Sequence, residues 1–380
     1  MFNKGSYILQ KDAVSEGLSP AFSESPIVIV TAVSDEYLAY FAVTLQSIVE
    51  QSSKKFFYDI VVLGTELSRQ GIERTEILVA GRENFSIRFV DVSDVLSRYN
   101  FPVEQVYKPI IYARFLIPEL MCRYDRAVYI DADMIFLDDI AMLYDNPFGD
   151  TLLLAVRDTG MLAWYHMPDS KEKRYIDKKL HLKYPDSYFN SGLIVFNIQK
   201  FNKTYQSTFL LRYAESKSWR WRDQDVFMTL CDGKVGLLQQ EWNVLLPYFR
   251  NDMQMLLQVG QFELAKEYQV ALTHPKALHF IGTGFLFLEN PPMYADQFWR
   301  LARGTANYEM LLQRALLFTM QRSTKSIEGL SKFSFMLGQE TVRKTLSLFE
   351  NGELGFRYIL KFAQRWLQFK LRHCKKWANS

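Results

Sequence analysis

Cysteine is scarce in this chain of 380 residues: Cys122, Cys231 and Cys374 are the three present, odd in number and far apart. No C-x-x-C or C-x-x-H pair exists, so neither a disulfide framework nor a zinc knuckle is supported, and a reducing compartment is expected. Long apolar runs are also missing. None approaches the roughly 18 residues that a bilayer span requires. The first 25 residues carry Lys4, Lys11, Asp12 and Glu16 without an apolar centre, unlike a secretory signal. Charge of one sign is lacking too: 45 Lys+Arg face 42 Asp+Glu, a formal +3. That balance argues against a whole-molecule polyanion binder, and no nucleic-acid partner is expected. The fingerprint G-x-G-x-x-G is absent from the first βα turn, which weighs against an ordinary NAD or FAD enzyme.

What is present is an ordinary globular mixture, 48% apolar and 23% charged, with an aromatic share of 15%. Ile27 to Val33 is a continuous β-branched run typical of a strand buried on both faces. Ser34 and Asp35 then offer N-cap chemistry, and Leu38, Phe41, Leu45 and Ile48 follow at helical spacing. Strands are expected at Tyr58 to Leu63, Ile87 to Val92, Arg126 to Ile130, Leu152 to Val156, Gly192 to Phe196, Val235 to Leu238 and Ala277 to Phe280. Helices are expected from about Ser68 to Gly81 and from Pro109 to Cys122. The alternation predicts an α/β domain with a largely parallel sheet covered by helices. Between two of these strands, Arg157 to Ser187 is polar and long, which fits either an active-site flap or a solvated excursion.

The strongest chemical signal is Asp131-Ala132-Asp133 at the end of a buried apolar strand. Two carboxylates one residue apart are costly there unless paired or bound to a cation. A hard divalent metal shared with substrate phosphates is the usual solution. His279 closes another strand and precedes Gly282-Thr283-Gly284, a loop suited to phosphate. Asn190-Ser191-Gly192 opens a strand, and Arg222-Asp223-Gln224-Asp225 opens a helix in which Asp223 is the expected N-cap.

Tyr112-Ala113-Arg114, Asp131-Ala132-Asp133, Tyr188-Phe189-Asn190-Ser191-Gly192, Asp223-Gln224-Asp225 and His279-x-x-Gly282, in that order, resemble glycosyltransferase family 8 over about Ile27 to Tyr308. The resemblance implies a GT-A fold (a Rossmann-like mixed, mostly parallel sheet flanked by helices) and retaining transfer of glucose or galactose from a UDP-sugar. It implies Mn²⁺, or Mg²⁺, on Asp131, Asp133 and His279. Nucleotide contacts are implied for Thr31, Ala32, Ser34, Asp131, Ala132 and Gly282, with Tyr37 stacking on uracil. Arg114, Asn190, Asp223 and Gln224 would hold the donor sugar. Gln224 is a poor nucleophile, which favours same-face attack by the acceptor hydroxyl, with Asp225 the alternative nucleophile. Two departures from the family pattern stand out. Phe285-Leu286-Phe287 replaces a Lys-Pro-Trp, and Ser34 stands where many members carry an acid.

The organisation expected is a polar leader (1–26), a transferase domain (27–310) and a helical region (311–380). From Phe356 to Ser380 there are seven Lys/Arg and no acid, with Ile359, Phe362, Trp366 and Phe369 at helical spacing. That composition suits an interfacial helix on an anionic membrane surface. The rest of the chain, with 38 basic against 42 acidic residues, is mildly acidic. The acceptor expected is a glycan or lipid-linked glycan such as a lipopolysaccharide core, and the location is the inner face of the cytoplasmic membrane. The rival readings are a weak or inactive sugar-nucleotide binder and a D-x-D phosphatase. Against the phosphatase stand Met134-Ile135 after the second Asp, where that chemistry wants Thr or Val.

Overall fold

The computed structural model describes residues 16–102, 109–247, 251–282 and 291–326, with side chains of the last helix described as far as Phe318. The Phe285 to Phe287 substitution and the basic tail lie outside the described residues. The chain divides into two units, Met1–Leu316 and Leu317–Ser380, and the site lies in the first.

In chain order the elements used below are β1 (Ile27–Ser34), α1 (Asp35–Gln51), β2 (Tyr58–Thr65), α2 (Arg69–Glu76), β3 (Phe85–Asp91), β4 (Arg126–Ile130), β5 (Met134–Phe136), β6 (Leu153–Arg157), α3 (Thr159–His166) and α4 (Lys171–Tyr175). They continue with β7 (Phe189–Asn197), α5 (Ser207–Glu215), α6 (Arg222–Leu230), β8 (Val235–Leu237), β9 (Val244–Leu245), α7 (Phe262–Thr273), β10 (Ala277–His279), α8 (Ala295–Ala302) and α9 (Tyr308–Ser326).

Seven strands form one sheet in the order β3-β2-β1-β4-β7-β6-β8. β1 to β4 of that sheet run parallel, as do β6 and β8, while β7 is antiparallel to both β4 and β6. The β-branched run of β1 is buried as expected, and Leu38, Phe41, Leu45 and Ile48 seat α1 against the sheet. Burying each such side chain is worth about 1.5–3 kcal/mol, enough for burial rather than turn chemistry to position the helix. Among the described residues, no helix is long and apolar enough to cross a membrane.

Local details differ from the sequence expectations for physical reasons. Ser34 is the N-cap residue of α1 but makes no side-chain cap bond. The Asp35 carboxylate instead accepts from the Ser68 backbone N–H and hydroxyl, tying the start of α1 to that of α2. The helix expected to reach Gly81 ends at Glu76 and continues as tight turns with i to i+3 bonds. Pro109 to Leu116 is a 3₁₀ helix, followed by one α turn from Ile117 to Leu120.

The polar stretch after β6 is neither a free loop nor wholly solvated. Asp158 caps α3 by accepting from Met161 N–H, and Ser170 caps α4 by accepting from Lys173 N–H. Met161, Leu162, Ile176 and Leu180 pin the segment down.

A second, three-stranded sheet runs β5-β10-β9. Its register sets His279 opposite Met134 on one side and Leu245 on the other. A residue 146 positions distant in sequence thereby arrives beside Asp133.

Candidate active site

The site gathers at the C-terminal ends of β1 and β4, where ligands of open α/β sheets bind. Val30 pairs with Tyr129, so Ala32 and Asp131 stand level two residues further on. The turn after β4 is tethered from beneath by Thr44 of α1, whose hydroxyl lies 2.8 Å from Ala132 O and 2.6 Å from Met134 O. With one proton to give, it serves one carbonyl at a time.

One donor atom each from Asp131, Asp133 and His279 lies within 4.8 Å of the others. His279 Nε2 is 3.3 Å from Asp133 and 3.7 Å from Asp131. Its tautomer follows from a chain of bonds that starts at an unambiguous donor. Gly192 N–H donates to Asn190 Oδ1, which also receives Asn243 Nδ2–H, so Asn243 Oδ1 faces His279 Nδ1 at 3.1 Å. Nδ1 therefore carries a proton, and Nε2 faces the two carboxylates. Burial pulls the imidazole pKa down, but Asp133 and Asp131 outweigh it and the net direction is upward. Gly192 is required here: a Cβ would stand 2.3 Å from His279 Cε1. Two carboxylates and a correctly turned imidazole fit one divalent cation.

A second cluster joins this one through Arg114. The buried guanidinium pairs with Asp131 at 3.0 Å and Asp223 at 2.8 Å, donates to Ser191 O, and lies 4.3 Å over the Tyr129 ring. Burial opposes its charge, yet Asp223, Tyr129 and Asp131 hold it firmly protonated. Asp223 also accepts from the Ser191 hydroxyl. Burial raises its pKa against the pull of Arg114. It is not the cap of α6: Trp221 holds that position, and Asp223 points inward from the first turn.

Gln224 Oε1 accepts from Ser191 N–H at 3.0 Å, and its Nε2 donates to Asp158 at 3.3 Å. Asn190 Nδ2 bridges Asp158 and Gln224 at 3.3 and 3.4 Å. A register shift between Ala155 and Val156 pairs Val156 with Asn190, which aims the Asn190-Ser191-Gly192 stretch into the site.

Asp225 does not join these residues. Its carboxylate accepts from Tyr175 and Tyr188 hydroxyls and from Trp221 N–H, on another side of α6, and burial raises its pKa. Thr31 and Ser34 are buried at the end of β1, and the Thr31 hydroxyl has no partner among the described residues. Tyr37 is 44% exposed, with its ring 5.4 Å from that of Tyr40. Gly282 is exposed with φ +76°, three residues past His279.

Asp158 and Asn243 were not among the sequence-derived site residues. Asp158 closes β6 as Asp131 closes β4, and that parallel was the available signal. Asn243 sits after a 3₁₀ turn with no local signature.

Comparison with known proteins places the chain. The model of "Glycosyl transferase family 8" matches residues 28–284. A putative glycosyltransferase of Haemophilus influenzae is 26% identical over 55% of this chain and 61% of its own length. The lipopolysaccharide 1,2-glucosyltransferase of Escherichia coli is 25% identical over 38% of this chain and 41% of its own. Among solved structures, the WbbM bifunctional glycosyltransferase aligns with TM-score 0.70 and 27% identity, covering 78% of this chain and 53% of that one. The galactosyltransferase LgtC, solved with donor and acceptor sugar analogues, shares the fold with TM-score 0.60 at 19% identity, covering 74% and 96%. The matches to the Haemophilus, Escherichia and WbbM proteins span less than two thirds of those relatives' own length. The mixed, mostly parallel GT-A sheet and the family match agree, and the chain belongs to glycosyltransferase family 8.

Proposed function

We propose that the chain is a metal-dependent, retaining hexosyltransferase that moves glucose or galactose from a UDP-sugar to a hydroxyl of a glycan acceptor. The observation that carries this reading is the Asp131-Asp133-His279 group joined through Arg114 to Asp223, Ser191 and Gln224. Family membership sets the phosphatase reading aside. Asp131, Asp133 and His279 would hold a divalent cation, which when bound would supply Lewis-acid stabilisation of the negative charge on departing UDP. A mixed carboxylate–imidazole set favours Mn²⁺ over Mg²⁺, which prefers oxygen ligands.

The remaining work falls to the chain's own side chains. Thr31, Ala32 and Ser34 line the end of β1 for the nucleoside, Tyr37 offers an exposed ring for the base, and Ala132 and Gly282 flank the diphosphate. Arg114, Asn190 and Asp223 present donors and acceptors to the donor hydroxyls. Gln224 is held at both ends of its amide, so it orients and does not swing. An amide is a weak nucleophile, and Asp225 is engaged by three donors elsewhere. Both facts support same-face attack by the acceptor hydroxyl. A glycosyl adduct on Asp225 in trapped enzyme would overturn that mechanism.

UDP release from a panel of UDP-sugars with Mn²⁺, compared with Asp133→Ala, tests the activity. Metal-dependent release that the substitution removes is expected. UDP binding without release from any donor would favour a non-catalytic sugar-nucleotide binder. Retention is checked by NMR of the product, where an inverted anomer refutes it.

The acceptor proposed is a lipopolysaccharide core or another lipid-linked envelope glycan. The basic, aromatic composition of 356–380 supports peripheral attachment to the inner face of the cytoplasmic membrane. Truncation after Gly355 is expected to release the protein from anionic liposomes.

A further inference from the structure

Arg157, Asp158 and Thr159 follow one another at the end of β6, and their side chains go to different places. Asp158 divides its carboxylate between two tasks. One oxygen accepts from Met161 N–H at 2.9 Å and caps α3, and the other accepts from Gln224 Nε2 and Asn190 Nδ2, each at 3.3 Å. The residues on either side reach instead to a helical pair, the helix Asp252–Gln258 and α7. The Thr159 hydroxyl donates to the Asp252 carboxylate at 2.7 Å, and both residues are buried. Arg157 forms an ion pair with Glu267 of α7, and its carbonyl accepts from Gln240 Nε2 at 3.1 Å.

A separation of 3.3 Å is at the long end of N–H···O hydrogen bonding, and by about 3.6 Å such a contact is lost. A shift of Asp158 by a few tenths of an ångström therefore releases both amides. Gln224 then keeps Ser191 N–H on its Oε1, and its amide can pivot about that one bond. Burial of Met161, Leu162 and Ala163 seats α3, but apolar burial has no direction and does not fix how Asp158 is turned. The bonds to its two neighbours do have direction. A buried carboxylate such as Asp252 is also a costly way merely to pack a helix, because an apolar residue of similar size would do that without desolvating a charge.

We propose that Asp252 and Glu267 are positioning residues for the transfer step: they hold Thr159 and Arg157 so that Asp158, between them, keeps the Gln224 amide oriented for the donor sugar. The proposal rests on the transferase reading above and adds two acids that lie 93 and 110 positions along the chain from the residues they steady. Both act through their neighbours and not on substrate. The cation site is held separately, His279 by Asn243 and Asp131 by Arg114.

T159V in the full chain removes the hydroxyl that Asp252 holds and keeps the size of the side chain. Its kcat for UDP release should fall by about tenfold, the scale expected when a group at the reacting centre is slightly misplaced. The KM for the UDP-sugar and the affinity for Mn²⁺ should each stay within about twofold, because their contacts are held by other residues. T159S, which retains the hydroxyl, should restore kcat. Lower thermal stability with an unchanged kcat, or no rescue by T159S, overturns the proposal and leaves the pair a packing contact. A fall in Mn²⁺ affinity as large as that in kcat overturns it too, since the whole site has then loosened. Should T159V fail to fold, E267Q carries the same comparison: it frees Arg157 from a half-exposed partner and should lower kcat by about threefold. An unchanged kcat there counts against the proposal. A crystal structure of the folded variant reads the positioning without turnover. Gln224 Nε2 should no longer reach Asp158, and an unaltered contact overturns the proposal. Absence of UDP release from any donor in the unsubstituted protein counts against the transferase reading, while the crystal structure still decides the positioning.

Discussion

The chain contains two D-x-D pairs near one another in space, and they behave in opposite ways. Asp131 and Asp133 sit in the turn between β4 and β5, and both carboxylates turn toward His279. Asp223 and Asp225 have the same spacing but stand in the first turns of α6. Successive helical residues rotate by about 100°, so residues two apart face different sides. Asp223 meets Arg114 and Ser191, while Asp225 meets Tyr175, Tyr188 and Trp221. Identical spacing thus yields a convergent cation site on a turn and two divergent anchors on a helix.

The contrast is testable, starting with the largest effect. Asp133→Ala should lower metal-dependent UDP release by about a thousandfold or more, because Lewis-acid stabilisation is worth several kcal/mol. Its denaturation midpoint should move little, within about 1 kcal/mol, since no buried donor is stranded. A large loss of stability instead would make Asp133 an anchor like Asp225.

Asn243→Ala should weaken Mn²⁺ binding by about 10–100-fold, the usual cost of removing a group that orients a ligating histidine. Titration followed by Mn²⁺ electron paramagnetic resonance reads this without turnover. Asn243→Asp keeps the acceptor facing Nδ1–H and should recover part of the affinity. Equal loss in both variants would show that packing, not orientation, is at stake.

Gly192→Ala probes the same histidine sterically. The new Cβ meets His279 Cε1 at 2.3 Å. Overpacking of this kind costs about 1–3 kcal/mol, and metal affinity should fall with it. A variant with unaltered metal binding would mean that the imidazole has slack the structure does not show.

The smallest functional effect belongs to Asp225→Asn. Three donors lose a carboxylate acceptor, so a destabilisation of about 1–3 kcal/mol is expected in urea melts. Metal affinity should hold. If turnover instead collapses at full stability, Asp225 is chemical and the same-face mechanism fails.

Much of this architecture was legible locally. A β-branched run marked β1, a short apolar run marked β4, helical spacing marked the buried face of α1, and an acidic pair after an apolar strand marked the cation site. Less was legible where partners are distant. The 157–187 stretch reads as polar because its helices are short and, past the buried start of α3, largely exposed or half-buried, and only the caps Asp158 and Ser170 betray them. Asp223 reads as an N-cap because its type and position fit one, but a buried arginine 109 residues earlier claims its carboxylate.

By itself, then, the sequence determined the strands, the parallel first half of the sheet, the motif order of the family and the D-x-D turn, since these depend on side-chain periodicity and near-neighbour chemistry. Tertiary structure alone decided that β7 runs antiparallel, that β10 carries His279 to Asp133, and that Asn243 turns the ring. It also decided that Asp225 faces away from the donor cluster. Those outcomes depend on register between strands far apart in the chain and on which buried donor reaches which acceptor, and neither is encoded in any single segment.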